Sequence, residues 1–178
     1  MEPECKPNFL FAKCKPLINV CWKCIRSGVG FGLTSGILTT LGLAIGLYSG
    51  THSRQVVISG ILTIAIADTL SDSLGMHIAV EAESEHSTRE VWESTLATMI
   101  SKFFFALTFL VPLLILPLGQ AIISSVIWGI LLLSAFSYLI GKEEEKGPWP
   151  VVAEHLVIAS LIIVLTHFVG KSLESMFA

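Results

Sequence analysis

The stretch Ala67-Asp68-Thr69-Leu70-Ser71-Asp72-Ser73-Leu74-Gly75-Met76-His77-Ile78-Ala79-Val80-Glu81-Ala82-Glu83 continues an apolar run that begins near Val56. Its length and hydropathy make it the second half of a transmembrane helix. An ionisable side chain at bilayer depth costs from ~3 to well over ~10 kcal/mol, so a carboxylate there implies a partner, a proton or an ion. Helical spacing aligns Asp68, Asp72 and Met76, and farther on Ala79 and Glu83, along one drifting stripe that runs from mid-membrane to the helix exit. Hard carboxylate oxygens joined by a soft thioether suit a divalent transition metal better than sodium, calcium or an organic solute. Intramembrane Asp, Ser and His can also act solely as hydrogen-bonding glue between helices, and a single Asp would be read that way. Two acids one turn apart, with a Met on the next turn and further acids at the exit, read better as an ion path.

The composition agrees with a membrane protein. The chain has 178 residues, 53% of them hydrophobic, and a mean hydropathy of +0.76, more than a soluble core of this size requires. Several apolar stretches of about 20 residues, each interrupted by few charges, predict an all-α polytopic protein with five transmembrane helices. The net charge of -3 gives no reason to expect a nucleic-acid partner. No cleavable signal peptide is expected, because Lys, Pro and Cys occupy the first 27 residues where an apolar segment should lie.

Residues 1–27 form a Cys/Lys-rich arm that holds all four cysteines, Cys5, Cys14, Cys21 and Cys24, among Lys6, Lys13, Lys15, Lys23 and Arg26. Cys21-Trp-Lys-Cys24 is a C-x-x-C pair, and the other two thiols could complete a site for zinc or iron. The outer spacings match no familiar zinc pattern, so a basic arm with free or lipid-bearing thiols is the alternative.

The transmembrane domain is expected over residues 28–173, with spans at about 28–48, 56–80, 96–118, 120–140 and 151–169. The first is rich in glycine, including Gly32-x-x-x-Gly36 and Gly42-x-x-x-Gly46, which permit close helix approach and place it at a packed interface. After the second span, residues 81–93 are acidic. Read as a helical extension, they put Glu83, His86, Glu90 and Glu93 on one face, with the Glu-x-x-His spacing of di-iron carboxylate proteins. Such runs usually form a solvated face; as a continuation of the Asp68/Asp72/Met76 stripe this one reads as a loading vestibule. Lys102 lies near the start of the third span. Glu154, in the first turn of the fifth, is accounted for by the helix dipole.

Five spans place the termini on opposite sides. With the N-terminus cytosolic, the inner segments hold Lys6, Lys13, Lys15, Lys23, Arg26, Arg89, Lys142 and Lys146, and the outer ones only Arg54 and Lys171. The thiols then face a reducing compartment, which disfavours structural disulfides.

This order of features resembles the vacuolar iron transporter family: a Gly-rich first span, a second ending Leu74-Gly-Met-His-Ile-Ala-Val-Glu-Ala-Glu83, a third with Phe109-Leu-Val-Pro112-Leu-Leu, and a fifth with Leu161 to Gly170. The resemblance spans residues 28–173. It implies a five-span homodimer with a metal path between the first two helices, exporting cytosolic Fe²⁺, and often Mn²⁺, in exchange for protons. Three departures stand out. The family's first-span Asp-Gly-Leu is Phe31-Gly32-Leu33 here; Asp72 stands where the family places a metal-contacting Met, with Asp68 replacing a small residue; and a family acid expected around Thr63 or Ile64 is absent. The cytosolic hairpin that stores metal in the family is reduced to about residues 81–93. The carboxylate layer is therefore expected to have moved from the first helix to the second while staying on the pore axis.

The expected function is secondary transport of divalent metal, not enzymatic catalysis, with no resident cofactor required. Asp68, Asp72 and Met76 would bind the ion in mid-membrane, and Glu83, His86, Glu90 and Glu93 would gather it at the mouth. The partners would be a second copy of the chain, docked through the Gly-rich first span as the homodimer the resemblance implies, with lipid, protons and the metal itself, and zinc or iron a further option on the cysteine arm. The host membrane would be the cell membrane in a prokaryote and a vacuolar or other endomembrane in a eukaryote. Alternatives are a metal sensor or interaction protein without flux, a thiol oxidoreductase using Cys21 and Cys24, and an intramembrane aspartyl hydrolase. The hydrolase fits poorly, since its carboxylates should converge from separate helices.

Overall fold

The computed structural model describes residues 22–83, 86–142 and 147–177. They form six helices and, among the described residues, no strand: α1 Trp22–Thr51, α2 Arg54–Ala82, α3 Thr88–Thr108, α4 Leu110–Ile115, α5 Leu118–Gly141 and α6 Pro148–Phe177. α3 and α4 make one membrane-length unit, Thr88–Ile115, so five segments are long and apolar enough to cross a bilayer. This is the architecture of an integral multi-pass membrane protein. The break at Phe109 has a covalent cause. Pro112 lacks an N–H, and its ring crowds the carbonyl four residues back, at Thr108.

Most helices extend past the expected spans, although the third unit stops at Ile115, three residues short of the expected end. α1 and α2 are joined by His52 and Ser53 alone, with His52 in the left-handed region at φ 49°. α6 begins at Pro148, ahead of the predicted start at Val151, so Glu154 lies in the second turn and the dipole explanation for it weakens. The largest revision concerns residues 81–93, which do not extend α2. α2 stops at Ala82, and Ser87 opens α3 with a capping box: its hydroxyl accepts from the Glu90 N–H, and the Glu90 carboxylate accepts from the Ser87 N–H at 2.8 Å. The sequence Ser87-Thr-Arg-Glu90 ahead of an apolar run carries that signature.

α1 is the hub. It packs against α2, α3, α5 and α6, and its apolar residues Leu33, Ile37, Leu41, Ala44 and Ile45 form the core with Val57, Ile61, Phe109 and Leu113. Its glycines are consumed in this packing and do not form an outward face. A Cβ on Gly32 would come within 2.2 Å of Ser101 Oγ, and one on Gly170 of α6 within 2.3 Å of the Gly46 carbonyl. Backbones this close tolerate no side chain. Those glycines hold α3 and α6 of the same chain and so lend no support to a dimer through the first span.

Candidate functional site

Asp68 lies fourteen positions beyond Arg54, the first residue of α2, and Lys102 fourteen beyond Thr88, the first of α3. At ~1.5 Å per residue both are about 21 Å into their helices. Asp68 is also fourteen positions short of Ala82, the end of α2, so with α2 and α3 antiparallel about the turn between them the two residues lie level. Lys102 is buried, with a side chain 2% exposed, and its ammonium reaches both acids: Asp68 Oδ2 at 2.5 Å, and Asp72 Oδ2 at a shorter distance still. Ser35 of α1 donates its hydroxyl to Asp72 Oδ2 at 2.6 Å and accepts from Lys102 Nζ at 2.9 Å. Gly36, beside Ser35, leaves room for the lysine stem, since a Cβ there would meet Lys102 Cγ at 3.3 Å.

The cluster is thus tied into three helices, but the acids are not in a dry seam. Asp68 and Asp72 keep side-chain exposures of 27% and 23%. An open groove between α1 and α2, lined by Leu43, Leu47, Gly60 and Thr63, ends on Asp68. Two carboxylates face one ammonium, so the fully charged cluster is one positive charge short. Asp68 Oδ2 touches the ammonium without a well-directed hydrogen bond, which leaves one buried lone-pair site under-used. Met76 follows one turn on, half-buried. Next to it His77 meets Thr95 Oγ1 at 3.0 Å and packs edge-on against Trp92.

Lys102 and Ser35 complete the candidate site, although neither was expected there from the sequence. The signal for Lys102 was present. Asp68 and Asp72 are the only acids between Glu4 and Glu81, and Lys102 is the only cation between Arg89 and Lys142. An intramembrane charge seeks an opposite one.

The expected vestibule is only partly assembled. With α2 ended at Ala82, Glu83 and His86 belong to the turn and Glu90 and Glu93 to α3, so the four share no helix face. His86 nevertheless gathers two acids: Nε2 lies 3.1 Å from Glu83 Oε2 and Nδ1 3.7 Å from Glu90 Oε2. Glu93 instead pairs with Arg89 at 2.9 Å. Cys24, in the first turn of α1, is buried, and a ligating atom from each of Cys24, His86 and Glu90 lies within 4.8 Å of the others. Contrary to expectation, Cys24 is disulfide-bonded, and in that state its sulfur is not a thiolate ligand. Cys5, Cys14 and Cys21 lie outside the described residues.

No family model matches the chain, and no curated protein matches it.

Proposed function

We propose that this chain is a secondary transporter that moves divalent transition metal, Fe²⁺ first and Mn²⁺ next, out of the cytosol in exchange for protons. The observation that carries the reading is the mid-membrane cluster: two part-exposed carboxylates, one positive charge short of neutrality, at the end of a groove. In a low-dielectric span that deficit attracts either a proton or a metal ion, and the arrival of one displaces the other. Lys102 and Ser35 hold the carboxylates apart and oriented between ions. Met76 adds a soft donor on the way to the mouth.

The end of the bundle that carries the start of α1 and the α2–α3 turn faces the cytosol in this reading, by the distribution of Lys and Arg. The transporter works as a homodimer, as the family resemblance implies, but through α2. There Thr63, Ala67, Ser71, Gly75 and Ala79 form an exposed stripe of small residues beside Asp68, Asp72 and Met76, narrow enough for close approach of a second copy. Two-fold symmetry would then double the carboxylates around one axis.

The deciding experiment uses proteoliposomes with an imposed pH gradient and a trapped pH indicator, challenged with Fe²⁺ under reductant and with Mn²⁺. The intact chain should move protons against metal, and Asp72→Asn should not; equal proton movement in the two would remove the mechanism. A second reading, a membrane metal sensor without flux, is favoured by one observation: the Lys102 ion pairs give both acids a structural role. It predicts metal binding with no proton movement in any variant.

A further inference from the structure

The sequence suggests two separate metal-binding regions, a cysteine arm and an acidic segment. The fold brings one residue of the first against two of the second. Cys24 of α1, His86 of the α2–α3 turn and Glu90 of α3 offer sulfur, nitrogen and oxygen ligands within 4.8 Å of one another. The neighbours orient them. Glu90 Oε2 is held by the Ser87 N–H at 2.8 Å and the Ser87 hydroxyl at 3.1 Å. Glu83 Oε2 sits 3.1 Å from His86 Nε2; a neutral ring that donates Nε2–H to Glu83 turns its Nδ1 lone pair toward Glu90. At 3.7 Å those two acceptors are too far apart to hydrogen-bond. They are spaced about as two ligands of one tetrahedral ion are, given metal–ligand bonds of ~2.0–2.3 Å. The carboxylate behind the imidazole is the partner that metal-bound histidines usually have.

What the described state lacks is the thiolate, because Cys24 is in a disulfide. We propose that Cys24, His86 and Glu90 form a redox-gated site for a borderline divalent cation such as Zn²⁺, Fe²⁺ or Co²⁺, closed by the disulfide and opened by its reduction. The opening step balances with a dithiol as reductant. One thiolate of the dithiol attacks the disulfide, the S–S bond breaks, and one protein cysteine leaves as thiolate. The second thiol of the reductant, as thiolate, then attacks the reductant sulfur of the mixed disulfide, and the other protein cysteine leaves as thiolate and takes up a proton. The reductant ends as its own disulfide, oxidised by two electrons, and the protein ends with two thiols. On metal binding the Cys24 thiol releases its proton to solvent, and the thiolate joins imidazole nitrogen and carboxylate oxygen. One protein sulfur, one nitrogen and one oxygen leave a fourth position for water or for exchange, which suits a receiving site. The site does not require flux, so it is tested separately from transport.

The test uses the full chain in detergent, with Co²⁺ as probe and its thiolate-to-metal charge-transfer absorption as readout. Wild type should show the band after treatment with a phosphine reductant and lack it when oxidised. A chain in which Cys5, Cys14 and Cys21 are all replaced by Ser should show it without reductant, since Cys24 then has no cysteine of its own chain to pair with. In that background His86→Ala should weaken Co²⁺ binding about tenfold or more, and Glu90→Gln should weaken it in the same direction, with circular dichroism confirming the helices are intact. A band in oxidised wild type overturns the gate. No band in the triple-serine chain, or one indifferent to His86→Ala, overturns the site and returns the metal to the cysteine arm.

Discussion

The inner acids of α2 and the acidic residues around the α2–α3 turn stand in opposite settings. In mid-membrane, Asp68 and Asp72 share one buried lysine, with a serine from a third helix, so the fold answers one of their two charges at fixed geometry and leaves the other open. At the mouth, Glu83 is 70% exposed, and the contacts around His86 are spaced more loosely, from 3.1 to 3.7 Å. The difference follows from solvent. Where water can solvate a carboxylate, loose arrangements cost little; where it cannot, each charge needs a partner of fixed geometry. Under the transport reading proposed above, the inner cluster would set whether an ion passes and the mouth how readily it arrives.

The sharpest way to break that contrast is Asp72→Asn, which is expected to reduce metal-driven proton movement to the level of empty liposomes. Next in size is Lys102→Met. Removing one partner of a buried pair costs about 3–5 kcal/mol; because the acids keep roughly a quarter of their exposure, we expect about 2–3, read as a lower midpoint in detergent unfolding. The triple variant Asp68→Asn, Asp72→Asn, Lys102→Met should recover most of that loss while remaining inactive. If Lys102→Met alone is as stable as wild type, the inner charges are not coupled as described.

A pair of glycine substitutions tests the helix faces in the same way. Gly32→Leu must push into α3 and should destabilise by about 1–3 kcal/mol. Gly75 has nothing within 4 Å of a Cβ, so Gly75→Leu should leave folding unchanged and weaken self-association, measured by crosslinking in liposomes. Unaltered self-association would count against the proposed dimer through this face. The smallest effects belong to the mouth. Ser87→Ala removes the cap of α3 and should cost about 1 kcal/mol. Glu90→Ala should raise the metal concentration needed for half-maximal flux a few-fold and leave the maximal rate intact.

Much of this was legible in the chain itself. Five apolar stretches of bilayer length specify a helical membrane protein whatever the details of packing, because lipid offers backbone groups no other partner. The spacing of Asp68, Asp72 and Met76 put them on one face by helix geometry alone. The capping box at Ser87 and Glu90 was written in the sequence too, but the charged periodicity of residues 81–93 imitates a continuous helix and concealed it.

Three things were decided only in three dimensions. The glycines of α1 announce close packing, yet a small residue cannot say which helix it admits, and here the guests are α3 and α6 of the same chain. The partner of the inner acids lies 30 residues away from Asp72 along the chain; opposite charges predict that a pair should form, but only the antiparallel pairing of α2 with α3 places the atoms in contact. Cys24 and His86 looked like members of different sites until the short turn after Ala82 carried one against the other. Periodicity is a local property, whereas the distance between two charges is set by every turn of chain between them.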